Sequence, residues 1–251
     1  MLIVTDFRMP SPPDAVAIAP DELVGRLGAY PTVTVPIYQG RTVDTPSLWQ
    51  HLAEPADYFG LTMPARADLD AALASFSTLP GLTAATVTIT DGGRCTVTGL
   101  PSQVCTPNPV RIGWRDSGWT PPAATDEPWL RMAARTTSLG TVDLLLRRLA
   151  DQGCVDGIGP GPDVTPAVAG ALVLDIGAAL VGVENTEPVS ILEQLQACGV
   201  VRPVARRAAV PADQVLRAWW ISPQYRTHPV AQLGDHAAGI DSSYPPFLEQ
   251  L

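Results

Sequence analysis

Two stretches of this sequence carry side chains whose type and spacing suit chemistry. The first is Arg135-Thr136-Thr137-Ser138, which leads into a run with helical spacing. A guanidinium stays protonated at ordinary pH, so Arg135 can bind an anion or stabilise developing negative charge, but it is neither nucleophile nor ready base. The second is Tyr225-Arg226-Thr227-His228. A Tyr-x-x-His spacing allows a phenol and an imidazole to share general acid/base work, and it equally fits a loop packed on a sheet. His51, between Leu48 and Leu52, reads as a structural histidine. The chain contains no lysine, all 16 of its basic residues being arginine, so it offers no side-chain amine for a Schiff base. Cys95, Cys105, Cys154 and Cys198 form no C-x-x-C pair and lie far from the three histidines, which argues against a metal site and for free thiols in a reducing cytoplasm. No Gly-rich nucleotide signature is present.

These residues must be positioned by an α+β fold. Pro31 to Tyr38 reads as a strand, with the alternation putting Tyr30 and Thr32 on one face. Thr45-Pro46 starts a helix that Pro55 should end or kink, and Asp68 opens a second one. Ala84–Thr90 and Arg94–Thr98 flank an Asp91-Gly92-Gly93 turn, and Val110–Trp114 forms a further strand. Leu100 to Pro128 is rich in Pro, Gly, Ser and Thr. The chain therefore divides into lobes 1–115 and 129–251, joined by a linker at 116–128. In the second lobe Ser138 is an N-cap candidate, and Val142, Leu145, Leu146 and Leu149 define a helix ended by Gly153. A hairpin is expected around Gly177, a helix over 188–198, and strands over 200–209 and 218–222. The strands should be mostly hairpin-connected.

Hydrophobic residues make up 46% of the 251, enough for a core in each lobe. A net charge of -9 argues against nucleic acid and anionic membranes as partners. The first ten residues lack the layout of a signal peptide, and no apolar run reaches membrane-spanning length, so a cytoplasmic protein is expected.

Several segments, in order, resemble the class IV aminotransferases, a family of pyridoxal-phosphate enzymes of fold type IV that includes aminodeoxychorismate lyase. Gly28-Ala29-Tyr30-Pro31-Thr32-Val33-Thr34-Val35 is similar to the family's G-x-F-x-T-x-R-V strand, and His51-Leu52 to the start of its H-L-x-R-L helix. Arg135 to Ile158 is similar to its lysine-helix-strand unit. Asp163-Val164-Thr165 resembles the beginning of V-T-E, and His228-Pro229-Val230 a closing M-P-V. The likeness covers Gly28 to Asp235 and implies a two-lobed fold and a homodimer. It also implies that Tyr30 and Thr32 line the pocket, that His228 lies near its rim, and that Trp114, Trp119 and Trp129 border it.

The departures from that pattern fall on the cofactor's anchors. Arg135 stands where the family has its Schiff-base lysine, Glu54 where it has an arginine gripping the phosphate, and Pro166 where a glutamate meets the pyridine nitrogen. The phosphate-cradling G-I-T loop is missing before the helix at Ile191. Asp91 takes the place of a substrate-binding arginine, although an Asp-Gly turn favours aspartate in any case. The expectation is an enzyme with no cofactor and no metal. It would use acid/base chemistry for an elimination, cyclisation, isomerisation or condensation of a small molecule, as in secondary-metabolite biosynthesis. Arg135, Tyr225 and His228 would be catalytic, with Tyr30, Thr32, Asp91 and Trp129 binding substrate. The competing expectation is a non-catalytic binding or scaffold descendant.

Overall fold

The computed structural model describes residues 30–115, 118–120, 126–186, 189–240 and 243–249, without the side chains of Thr45 and Asp91. Strand β1 (Thr32–Tyr38) pairs antiparallel with β2 (Leu82–Thr90), which pairs with β3 (Arg94–Ser102) through the 3-10 turn Asp91–Gly93. Alternation gives this sheet two unlike faces. Val33, Val35, Ile37, Ala85, Val87 and Ile89 pack beneath helices α1 (Thr45–Tyr58) and α2 (Arg66–Ala74). The opposite face carries Thr32, Thr34, Thr86 and Thr88, whose hydroxyls pair across the strands at 3.1 Å (Thr32 with Thr88) and 2.9 Å (Thr34 with Thr86).

Helix α1 is capped by Asp44, whose carboxylate accepts from the Ser47 N–H, and Pro46 fits its first turn. Pro55 lies inside this helix, which continues to Tyr58 rather than ending there. Helix α2 starts at Arg66, slightly before the expected Asp68.

After β4 (Val110–Trp114) much of the expected linker falls outside the described residues. A short helix, α3 (Pro128–Ala133), follows, which the sequence reading did not expect. Helix α4 (Gly140–Asp151) begins after Leu139, and Ser138 does not cap it; the Ser138 N–H donates to the Thr136 hydroxyl instead. The remaining strands are β5 (Asp156–Ile158), β6 (Asp163–Val164), β7 (Ala171–Asp175), β8 (Leu180–Val183), β9 (Ala205–Arg206), β10 (Val210–Pro211), β11 (Arg217–Ile221), β12 (Thr227–Leu233) and β13 (His236–Ala237), with helix α5 (Ile191–Ala197) before β9.

The large sheet runs β5-β4-β12-β11-β7-β8-β9, with β13 beside β12, and β6 pairs with β10 apart from it. Hairpins are only part of its wiring: β4 lies parallel to both β5 and β12, and β8 parallel to β9. The strand expected over 200–209 shrinks to Ala205–Arg206. Trp219 and Trp220, adjacent on β11, enter the two cores on opposite faces of the sheet. One core also holds Tyr38, Leu82 and Ala84 of the first sheet, so it fastens the two halves together. Among the described residues no helix is long and apolar enough to cross a membrane.

Candidate functional site

Arg135 follows α3 at the place where that segment meets the start of β1. The Thr32 N–H donates to the Arg135 carbonyl at 2.9 Å, and the Thr137 N–H to the Tyr30 carbonyl at 2.9 Å. Backbone pairing therefore fixes Arg135 beside Tyr30 and Thr32 whatever their side chains do. The Arg135 side chain turns toward α1, where Nη1 meets Glu54 Oε2 at 2.5 Å. The two positions that depart most from the family pattern are thus in direct contact. Arg135 is 14% exposed and Glu54 45%, so the pair lies at the edge of the interior, with its carboxylate reaching solvent.

His51, one helical turn before Glu54 on α1, completes the cluster. Its pKa is pushed down from 6.5 to about 4, chiefly by burial and further by the Arg135 charge, with Glu54 pulling the other way. Nε2 of His51 is buried without a hydrogen-bond partner among the described residues. At neutral pH the ring is therefore uncharged, which suits hydrogen bonding to a ligand better than proton abstraction.

A second carboxylate stands at the start of the helix before which the resembling family has its G-I-T loop. Glu184, with a side chain 3% exposed, lies at the N-terminus of α5. Its oxygens accept from the Ser190 hydroxyl at 2.7 Å and the Leu192 N–H at 3.1 Å, and Arg206 Nη1 stands 3.5 Å away. Ser190 in turn accepts from the Glu193 N–H, the Ser-x-x-Glu cap that the sequence spells. The chain's own carboxylate thus satisfies the helix start. Glu184 was not picked out from the sequence, since only the β7–β8 hairpin and the return into α5 bring it there.

The other expected site residues scatter. Tyr225 is no acid/base partner for His228: it is 2% exposed, in the core with Trp219 and Phe247. Its hydroxyl lies 2.5 Å from the Thr34 carbonyl and 2.7 Å from Gln194 Oε1, and burial drives its pKa far up. Its backbone has φ 63°, a turn conformation that sends the ring inward while the chain reverses into β12. His228 lies on the opposite side of the sheet, its ring 5.7 Å from that of Trp220. There Nδ1 is 3.3 Å from the Asn108 carbonyl and 3.4 Å from the Thr106 hydroxyl, and burial lowers its pKa. Residue 228 is part of strand β12, not of a loop. Trp129 is 55% exposed on α3, and the Asp91 side chain lies outside the described residues. Of the residues chosen from sequence, then, Arg135, Tyr30 and Thr32 are neighbours through their backbones; the Arg135 side chain meets Glu54 and lies near His51, while the Thr32 hydroxyl bonds to Thr88 and the Val87 carbonyl on the other face of the sheet.

Strand β5 carries one more buried carboxyl group. Asp156, fully buried on β5, accepts from the N–H groups of Gly157, Val168, Ala169 and Gly170 and from Trp220 Nε1, all within 3.3 Å. Burial pushes its pKa up and these donors oppose the shift. Gly170 is required here, because a Cβ at that position would lie 2.1 Å from Trp220 Nε1. Every contact being a donor, Asp156 reads as a structural acceptor, not as a catalytic acid.

No family profile and no curated protein sequence matches the chain. Solved structures do. A Thermotoga maritima protein assigned as a branched-chain amino acid aminotransferase aligns with TM-score 0.61 at 14% identity, over 94% of this chain and 88% of its own. A hypothetical aminotransferase of Mycobacterium tuberculosis, in a form with α-ketoglutarate and PMP bound, gives 0.58 at 18%, over 92% and 90%. The Escherichia coli branched-chain amino acid aminotransferase gives 0.55 at 11%, over 87% and 80%. At such identities the likeness is one of architecture, and the chain has the α+β fold of the class IV aminotransferases.

Proposed function

We propose that this protein is an enzyme that works without pyridoxal phosphate on a class IV aminotransferase scaffold. It would carry out acid/base chemistry, such as an elimination, cyclisation, isomerisation or condensation, on a small molecule bearing a carboxylate or another anionic centre. The observation that supports the loss of the cofactor most is the Arg135–Glu54 contact, and an arginine held this way serves a purely structural role equally well. Pyridoxal phosphate needs an amine for its aldehyde and cationic or N–H groups for its phosphate. The chain has no lysine, Glu54 stands at the position of the family's phosphate-gripping arginine, and the Glu184 carboxylate takes up the N–H groups at the start of α5. These residues do not fit the cofactor, so no step is assigned to it. Arg135 would hold the substrate anion in exchange for Glu54, whose exposed carboxylate is free to swing into water. Tyr30 would line the approach, and the neutral His51 ring would offer a hydrogen bond. The working unit is taken to be a homodimer, which sedimentation equilibrium tests.

A second reading, a binding or scaffold descendant without turnover, is favoured by one observation: Tyr225 is locked in the core and His228 faces Trp220, so neither supplies Arg135 with an acid/base partner. One experiment separates the readings. Small carboxylates and their neutral amides are titrated calorimetrically into the natural protein and an Arg135→Ala variant, with product formation followed by NMR. Arg135-dependent binding with turnover supports the enzyme, and the same binding without turnover supports the second reading. Carboxylate binding that survives Arg135→Ala removes Arg135 from the site.

A further inference from the structure

The large sheet ends in a hollow that the site around Arg135 does not involve. Strands β5, β4 and β12 run parallel, and their C-terminal ends, Ile158, Trp114 and Leu233, meet there. Together with Val164 they wall a cavity of about 300 Å³, the lower end of the range for small-molecule sites. Ile158, Val164 and Leu233 are at most 1% exposed, so the walls are firm core side chains. The indole of Trp114 lies against the backbone of Gly234, where a Cβ would come within 2.2 Å of Cζ2. The missing side chain at Gly234 thus sets the aromatic wall in place.

The polar groups of this hollow have one sign. Asp163 and Asp235 line it, and neither has an ion pair or a side-chain hydrogen bond among the described residues. His236 is turned toward the Val215 carbonyl, 3.4 Å from Nε2, and no arginine among the described residues contributes to the lining. Two carboxylates, Asp163 half-buried and Asp235 exposed at the rim, beside apolar walls attract a cation and repel an anion. A cavity this size admits one ring with a short tail.

We propose that this hollow binds a small arylalkylammonium ion, with its apolar body among Ile158, Val164, Leu233 and Trp114 and its ammonium group at Asp163 and Asp235. The proposal does not depend on the function assigned to Arg135. Phenethylammonium is the probe, with 2-phenylethanol as its uncharged counterpart. Binding is read by calorimetry and by the Trp114 indole N–H resonance, identified through Trp114→Phe. The ammonium should bind saturably and shift that resonance, while the alcohol, and the ammonium with an Asp163→Asn/Asp235→Asn variant of unchanged melting temperature, should bind about tenfold or more weakly. Ala212→Phe, which fills the hollow from a turn, gives a second block should the double variant fail to fold. Arg135→Ala should bind as the natural protein does. No saturable binding at low millimolar ammonium, equal binding of the alcohol, binding unaffected by the variant and the block, or loss with Arg135→Ala would each overturn the assignment.

Discussion

Acid should destabilise this protein through His51 by an amount the structure sets. The ring titrates at about 4 in the folded chain against 6.5 ordinarily, because burial and Arg135 disfavour its charge. The folded state therefore binds fewer protons than the unfolded state between those values, so stability rises with pH across the window and is lost as pH falls from 6.5 toward 4. At about 1.4 kcal/mol per pH unit, the drop corresponds to about 3 kcal/mol. Asp156 and Glu184, whose pKa values burial raises, act in the opposite sense, so the useful observable is a difference. Urea unfolding of the natural protein and of His51→Gln, measured from pH 7 to pH 4, should diverge by about 3 kcal/mol, the natural protein losing more. The NMR titration of His51 should move up with Arg135→Met and down with Glu54→Gln. Parallel pH curves, or a His51 titration near 6.5 that ignores both substitutions, would refute the three-residue cluster and the site built on it.

Three further outcomes follow from contacts already described. Tyr225→Phe should cost about 1–2 kcal/mol in chemical denaturation, because it strands the Thr34 carbonyl and Gln194 in the core, and should leave ligand binding at Arg135 unchanged. Asp156→Asn should cost about 2–4 kcal/mol, since an amide NH2 would face N–H donors on one side; its melting temperature checks this. Glu184→Ala should cost about 1 kcal/mol by uncapping α5, with the loss read as faster amide exchange at Leu192 and Glu193.

The fold was readable where local rules and tertiary packing agree. The alternation from Val33 to Ile37, the spacing of Leu145 and Leu149, and the turn glycines at 153 and 177 all name their elements, and each sits as those rules require. Pro55 misled because its ring is held inside a helix whose Leu48, Leu52 and Ala56 are all buried, and packing of that face outweighs the lost hydrogen bond. The parallel pairing of β4 with β5 and β12 could not be read, since it joins segments more than a hundred residues apart in the case of β12.

The site was legible in part. Arg135 and Glu54 were marked as departures, but 81 residues separate them and no local pattern joins them. The Tyr-x-x-His spacing failed because it assumed a continuous strand or turn. The left-handed turn at Tyr225 rotates that ring into one core while His228 pairs opposite Trp220 on the other face. Glu184 carries no local signal, as its partners Ser190 and Arg206 come from later elements.

The claim that this scaffold works without its fold's usual cofactor is tested most directly by equilibrium dialysis of pyridoxal phosphate against the natural protein, with Arg135→Lys alongside. The account predicts no retention by the natural protein, and none by the lysine variant, because Glu54 and Glu184 still oppose phosphate. Stoichiometric retention by the natural protein would contradict it and return aminotransferase chemistry to this chain.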